Sequence, residues 1–128
     1  MTIAELCMLG MLLVTIGAIA PAKVLGRHEY DNALPRDPGF FRTGFRQRSQ
    51  WAHQNSYEAL PLFFAAVILA EMRAMPQATI DTLAVAFLLA RTAYVAAYWA
   101  DRPTLRSAVW ALALACNLGI FLLPAWGG

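Results

Sequence analysis

The stretch Arg48-Ser49-Gln50-Trp51-Ala52-His53-Gln54-Asn55-Ser56-Tyr57-Glu58 runs directly into Ala59-Leu60-Pro61-Leu62-Phe63-Phe64, so polar chemistry enters an apolar segment with no turn between them. On a helix of about 100° per residue, Arg48, Trp51, Asn55 and Glu58 share one stripe. A guanidinium, an amide and a carboxylate then point the same way. An ionisable group inside a membrane span costs at least ~2.5 kcal/mol near the bilayer centre, which makes such a stripe a functional-site hypothesis.

Composition supplies the membrane. The chain has 128 residues, 59% of them hydrophobic and 14% charged, with a mean hydropathy of +0.50. These values lie outside the range of an ordinary soluble domain. Four apolar segments, roughly 3–22, 47–70, 78–100 and 105–125, each approach the length that crosses the hydrocarbon core. The expected fold is all-α, a single integral-membrane four-helix bundle with no separate soluble domain. The first segment opens Met1-Thr2-Ile3-Ala4-Glu5, with an acid where a signal peptide carries cations, and is read as a retained span.

Charge sets the topology. Lys23, Arg27, Arg36, Arg42, Arg46 and Arg48 lie in or beside the first loop, Arg102 and Arg106 flank the third, and Arg73 alone marks the second. The positive-inside rule then puts loops one and three in the cytoplasm and both termini outside. The first loop carries Asp37-Pro38-Gly39 and interleaves Phe40, Phe41 and Phe45 with Arg42 and Arg46, a pattern suited to the headgroup interface. Met75-Pro76-Gln77 and Asp101-Arg102-Pro103-Thr104 read as tight turns, with Asp101 or Thr104 as N-cap of the last helix. Pro61 is expected to kink the second span just past the polar stripe. Cys7 and Cys116 sit within apolar runs and read as small core hydrophobes. Metal-ligand spacings, phosphate-cradling glycine loops and aromatic-interleaved basic patches are missing, so metal, nucleotide and nucleic-acid chemistry are not expected.

Two further stripes accompany the first: Arg91, Tyr94, Tyr98 and Asp101 on the third span, and Arg106, Trp110, Ala113 and Asn117 on the fourth. Glu58 lies ten residues inward of Arg48, and Arg91 ten residues inward of Asp101, about 15 Å in each case. Their depths match. Each element has a plainer reading: Glu58 with Arg91 as a buried ion pair fixing helix register, Asn55 and Asn117 as interhelical hydrogen-bonding groups, and His53, which points away from the stripe, as a structural residue. Three spans converging on one level favour a site.

The run from Arg48 to Phe63 resembles the second-helix signature of the membrane-associated proteins in eicosanoid and glutathione metabolism (MAPEG), with an Asn and, three residues later, a Glu before an apolar segment. Arg91 to Tyr98 and then Leu105-Arg106-Ser107 are similar to that family's third helix and the start of its fourth. The resemblance implies a homotrimer of four-helix subunits, with glutathione bound between subunits near the cytoplasmic face. It makes Arg48, Asn55, Glu58, Arg91 and Tyr98 glutathione-binding candidates and Arg106 the catalytic candidate that stabilises the thiolate. Trp51 stands where prostaglandin- and leukotriene-synthase members carry arginine, and Ala59 where the leukotriene-synthase branch carries tyrosine. The resemblance is therefore to a bacterial-type or uncharacterised branch, which implies a bacterial inner membrane.

Glutathione presents two carboxylates, one ammonium and a thiol, and Arg48, Arg91, Arg106 and Glu58 supply the complementary charges. The function this implies is a glutathione-dependent transferase or peroxidase acting on lipophilic electrophiles or hydroperoxides, reached together with membrane lipid from the bilayer. A non-catalytic lipid-presenting member of the same family and a small multidrug transporter are the alternatives.

Overall fold

A computed structural model describes residues 1–126 and contains four α-helices and, among the described residues, no strand. They are α1 (Ile3–Leu25), α2 (Gly44–Met72), α3 (Gln77–Trp99) and α4 (Pro103–Trp126). All four expected segments are helical. α1 runs three residues past its expected end and α2 begins three residues before its expected start, so the first loop is shorter than the sequence suggested. α1, α3 and α4 are long and apolar enough to cross a membrane, whereas the polar residues in the first half of α2 keep it below that level. It is an integral-membrane four-helix bundle. α2 continues through Pro61 to Met72 without interruption.

Local chemistry fixes the helix ends. Thr2 caps α1 in a capping box: its hydroxyl accepts from Glu5 N at 3.0 Å and the Glu5 carboxylate accepts from Thr2 N at 2.8 Å. Two more acids secure this end. Asp81 Oδ1 accepts from Ala4 N at 2.9 Å and Glu71 Oε1 from the Thr2 hydroxyl at 2.8 Å, with Gln77 donating to both carboxylates. Negative charge thus sits at the positive end of the α1 dipole and ties α1 to the α2–α3 turn.

α2 and α3 end in the same motif. Ala74 and Asp101 adopt left-handed φ of 51° and 56°. Met75 N donates to Ala70 O and Ala74 N to Glu71 O; at the other turn Arg102 N donates to Ala97 O and Asp101 N to Tyr98 O. These are Schellman closures with a non-glycine residue in the left-handed position. The second closure corrects the expected cap of α4. Asp101 finishes α3, Pro103 takes the first helical position, and Arg102 is the N-cap, its carbonyl accepting from Arg106 N at 2.9 Å.

α2 and α3 form the waist of the bundle: each touches the other and both outer helices, while α1 and α4 do not meet. Small residues on the buried faces, among them Ser49, Ala52 and Ser56 on α2 and Ala84 and Ala90 on α3, let the backbones approach closely. Phe63 of α2 stacks on Phe87 of α3 with ring centroids 4.1 Å apart. Cys7 and Cys116 are free and buried in the same core, as small hydrophobes.

Candidate functional site

Arg91 is 2% exposed and the largest fully buried side chain of the bundle. Its Nη1 donates to Asn55 Oδ1 at 2.9 Å, its Nη2 donates to Ser56 Oγ at 3.0 Å, and its guanidinium carbon lies 4.1 Å from the Tyr94 ring centroid. Every one of these partners is neutral. The two ion pairs within 4.0 Å among the described residues are Met1–Glu5 and Arg46–Glu29, both away from this site.

The expected Glu58–Arg91 pair therefore does not form within the subunit, although both side chains line one cavity. The reason is angular. Asn55 and Ser56 lie on the flank of α2 that meets α3, whereas Glu58, two residues past Ser56, is turned outward and exposed. The result is a buried cation and an unpaired carboxylate beside each other.

Two concavities share the Asn55–Glu58 wall. One is a cavity of about 160 Å³ between α2, α3 and α4, lined by Asn55, Glu58 and Arg91 with an apolar set that includes Leu62, Phe87 and Trp110. The other is an open groove formed by Trp51, Gln54, Asn55, Glu58 and Tyr98. Arg106, at the start of α4, reaches this groove through Tyr98, with its guanidinium carbon 4.7 Å from that ring centroid. Trp51 closes the other side, 6.4 Å from Tyr98 between centroids.

The structure thus gathers Asn55, Glu58, Arg91 and Tyr98 around two concavities with a shared wall, with Arg106 against Tyr98. Arg48 stands apart: its Nη2 reaches the Trp99 carbonyl at 3.5 Å, and it lines neither concavity. Its Nε is buried without a partner, as is that of Arg91. Ser56 and Gln54 were missed by the stripe argument. Ser56 has a signal, since it continues the small-residue face Ser49–Ala52–Ser56 and is the hydroxyl-bearing member at the depth of Arg91. His53 takes the structural role expected of it. Its Nδ1 is 2.7 Å from Thr15 O, and because a carbonyl only accepts, that nitrogen carries the proton.

A family model described as MAPEG family matches residues 2–126, almost the whole chain. The chain belongs to the MAPEG family. No individual curated protein and no solved structure matches it. The MAPEG assignment covers all four helices, and with it both concavities and every candidate residue. It supports a membrane function of the glutathione-related transferase or peroxidase type in general.

Proposed function

We propose that this MAPEG protein is a glutathione-dependent transferase or peroxidase that acts on lipophilic electrophiles or hydroperoxides at the membrane. One observation carries the reading: the Arg91 guanidinium is buried without a carboxylate partner while Glu58, on the same cavity wall, is a carboxylate without a cation. Burying an uncompensated charge is costly, so a split pair of this kind fits a ligand that brings one charge of each sign. The ammonium and carboxylates of glutathione meet that requirement.

When bound, glutathione supplies a sulfur nucleophile and, with a second glutathione, the two electrons that reduce a hydroperoxide to an alcohol and water. Glu58 accepts from the ligand ammonium and Arg91 faces a carboxylate. Arg106, held over Tyr98, presents a positive charge at the groove and lowers the pKa of a thiol beside it. Trp51 and Tyr98 wall the groove with aromatic surface.

The exposed Glu58 also supports a homo-oligomer, taken as the trimer that the family resemblance implies, because a neighbouring subunit shields a carboxylate that otherwise faces lipid. In this reading the termini lie outside the cytoplasm and the host is a bacterial inner membrane. The test is titration of glutathione into detergent-solubilised protein, with calorimetry for binding and ultraviolet absorbance for thiolate. Saturable binding with a thiolate band is expected. Absence of both signals rejects the proposal, and lipid binding without either favours the lipid-presenting alternative.

A further inference from the structure

α1 ends at Leu25 and α2 begins at Gly44, and these two ends lie together beside an open concavity of about 480 Å³. Leu25 and Gly26 bound it on the α1 side, Phe45 and Arg46 on the α2 side, and Glu29 and Arg42 from the loop between them. The chain sets its level. α1 is long and apolar enough to cross a membrane, so its last residue stands where hydrocarbon gives way to headgroups. Phe45 lies beside Trp99, the last residue of α3, with ring centroids 6.4 Å apart, an aromatic pair suited to that boundary.

The cations at this end differ in what holds them. Lys23 Nζ lies 5.1 Å from the Tyr30 ring centroid, Arg27 Nη1 donates to Val24 O at 3.2 Å, and Arg46 Nη1 donates to Glu29 Oε2 at 2.7 Å. Arg46 is also held by the Phe40 ring, whose centroid is 4.4 Å from its guanidinium carbon. A Cβ at Gly26 would stand 2.8 Å from both Arg46 Nη2 and Phe40 Cζ, so glycine there lets the two close over the end of α1. Arg42 is different. It is exposed on the concavity and, among the described residues, has no ion-pair partner. Thr43, the N-cap of α2, makes no side-chain capping bond, so the first-turn N–H groups of a 29-residue helix lack that acceptor beside the same space.

Two guanidinium groups less one carboxylate leave the concavity with one positive charge in excess. A phosphodiester carries one negative charge and cancels it. A choline or ethanolamine headgroup would return a positive charge to the same space, whereas an uncharged alcohol such as glycerol does not. Leu25, 72% exposed at the apolar edge, offers surface that an acyl chain covers and a free phosphate leaves in water.

We infer that this concavity between the ends of α1 and α2 binds an anionic phospholipid whose headgroup alcohol is uncharged, with the phosphate on Arg42 and Arg46 and the chains descending past Leu25. The surrounding bilayer supplies the occupant. The site shares no residue with the two concavities at the Asn55–Glu58 wall, and it does not rest on the glutathione reading.

The test is native mass spectrometry of the full chain in a neutral maltoside detergent with dioctanoyl phosphatidylglycerol, dioctanoyl phosphatidylcholine and glycerol 1-phosphate. Wild-type protein is expected to hold phosphatidylglycerol about fivefold more tightly than phosphatidylcholine, and glycerol 1-phosphate more weakly than either lipid. Arg42→Gln should weaken phosphatidylglycerol by about fivefold, the effect of one basic residue at an anionic lipid surface, and Arg42→Lys should keep most of the affinity. Arg36→Gln makes the same charge change on the same loop outside the concavity and should leave binding unaltered. Both positions are exposed, so folding is not at stake. Equal affinity for the two lipids overturns the inference. Equal losses in Arg42→Gln and Arg36→Gln also overturn it, because the effect then belongs to the general charge of the loop. Glycerol 1-phosphate bound as tightly as phosphatidylglycerol refutes the lipid as occupant in favour of a free phosphate.

Discussion

Arg91 on α3 and Asn55 on α2 are joined by a 2.9 Å hydrogen bond from Nη1 to Oδ1, so a neutral amide stands where a carboxylate would complete an ion pair. The consequence is a site that retains positive charge. Had Glu58 closed on Arg91 the pair would be self-satisfied, and its attraction for a charged ligand would be largely cancelled.

The first prediction separates these two partners of the site. Asn55→Leu strips one of the two hydrogen bonds from a buried guanidinium and should destabilise the bundle by about 1.5–3 kcal/mol. Glu58→Gln, at an exposed position without an ion pair, should leave the thermal midpoint nearly unchanged and weaken glutathione binding. Equal stability loss in both variants would refute the partner assignment.

Assembly is checked by native mass spectrometry from mild detergent. A homo-oligomer is expected, because an isolated subunit leaves Glu58 facing lipid at span depth, and the family resemblance makes it a trimer under the proposed function. A monomer at every concentration counts against the proposed interface.

Arg106 is open to a kinetic test. Under the proposed function Arg106→Ala should remove most turnover while weakening glutathione binding only in part, since Arg91 still faces the ligand; Arg106→Lys should restore a fraction, because an ammonium lacks the planar guanidinium that stacks on Tyr98. Tyr98→Phe keeps the ring and should preserve the Arg106 position, whereas Tyr98→Leu should reduce turnover toward that of Arg106→Ala. Unaltered turnover in Arg106→Ala removes its activating role.

The Schellman closures make a stability prediction independent of function. Ala74 adopts a left-handed φ of 51° at an exposed position, a conformation that costs a residue with a Cβ about 1 kcal/mol and glycine little. Ala74→Gly should therefore stabilise the bundle by roughly 0.5–1 kcal/mol, read as a higher thermal midpoint. Asp101→Gly should gain less, because aspartate tolerates this region better than alanine.

In the core, Phe63→Ala should cost about 3–5 kcal/mol, since Phe63 is fully buried and stacked on Phe87. A loss below about 1 kcal/mol, measured by denaturant or thermal unfolding, would mean that this stack contributes little to the α2–α3 contact.

The four helices and most of their ends were legible along the chain, because span length, proline and the Asn55–Glu58 stripe are local properties of consecutive residues. The cap of α4 was misread: Asp101 has the chemistry of an N-cap, but the closure of α3 claims it through the left-handed φ that aspartate also tolerates. Pairing across helices was not legible at all. Matched depth put Glu58 and Arg91 on one level, yet depth leaves the rotation of α2 about its axis undetermined, and that rotation gives Arg91 to Asn55 and Ser56. The same limit hid Asn117. A polar residue in an apolar helix reads as an interhelical bonding group, and only the packing of α4 against α2 and α3 leaves its oxygen without a partner on the wall of a cavity. Sequence therefore determined which chemistry the bundle carries and at what depth. The tertiary structure decided which groups satisfy one another and which stay without a partner, because hydrogen-bond partnership depends on azimuth and distance that only packed helices define.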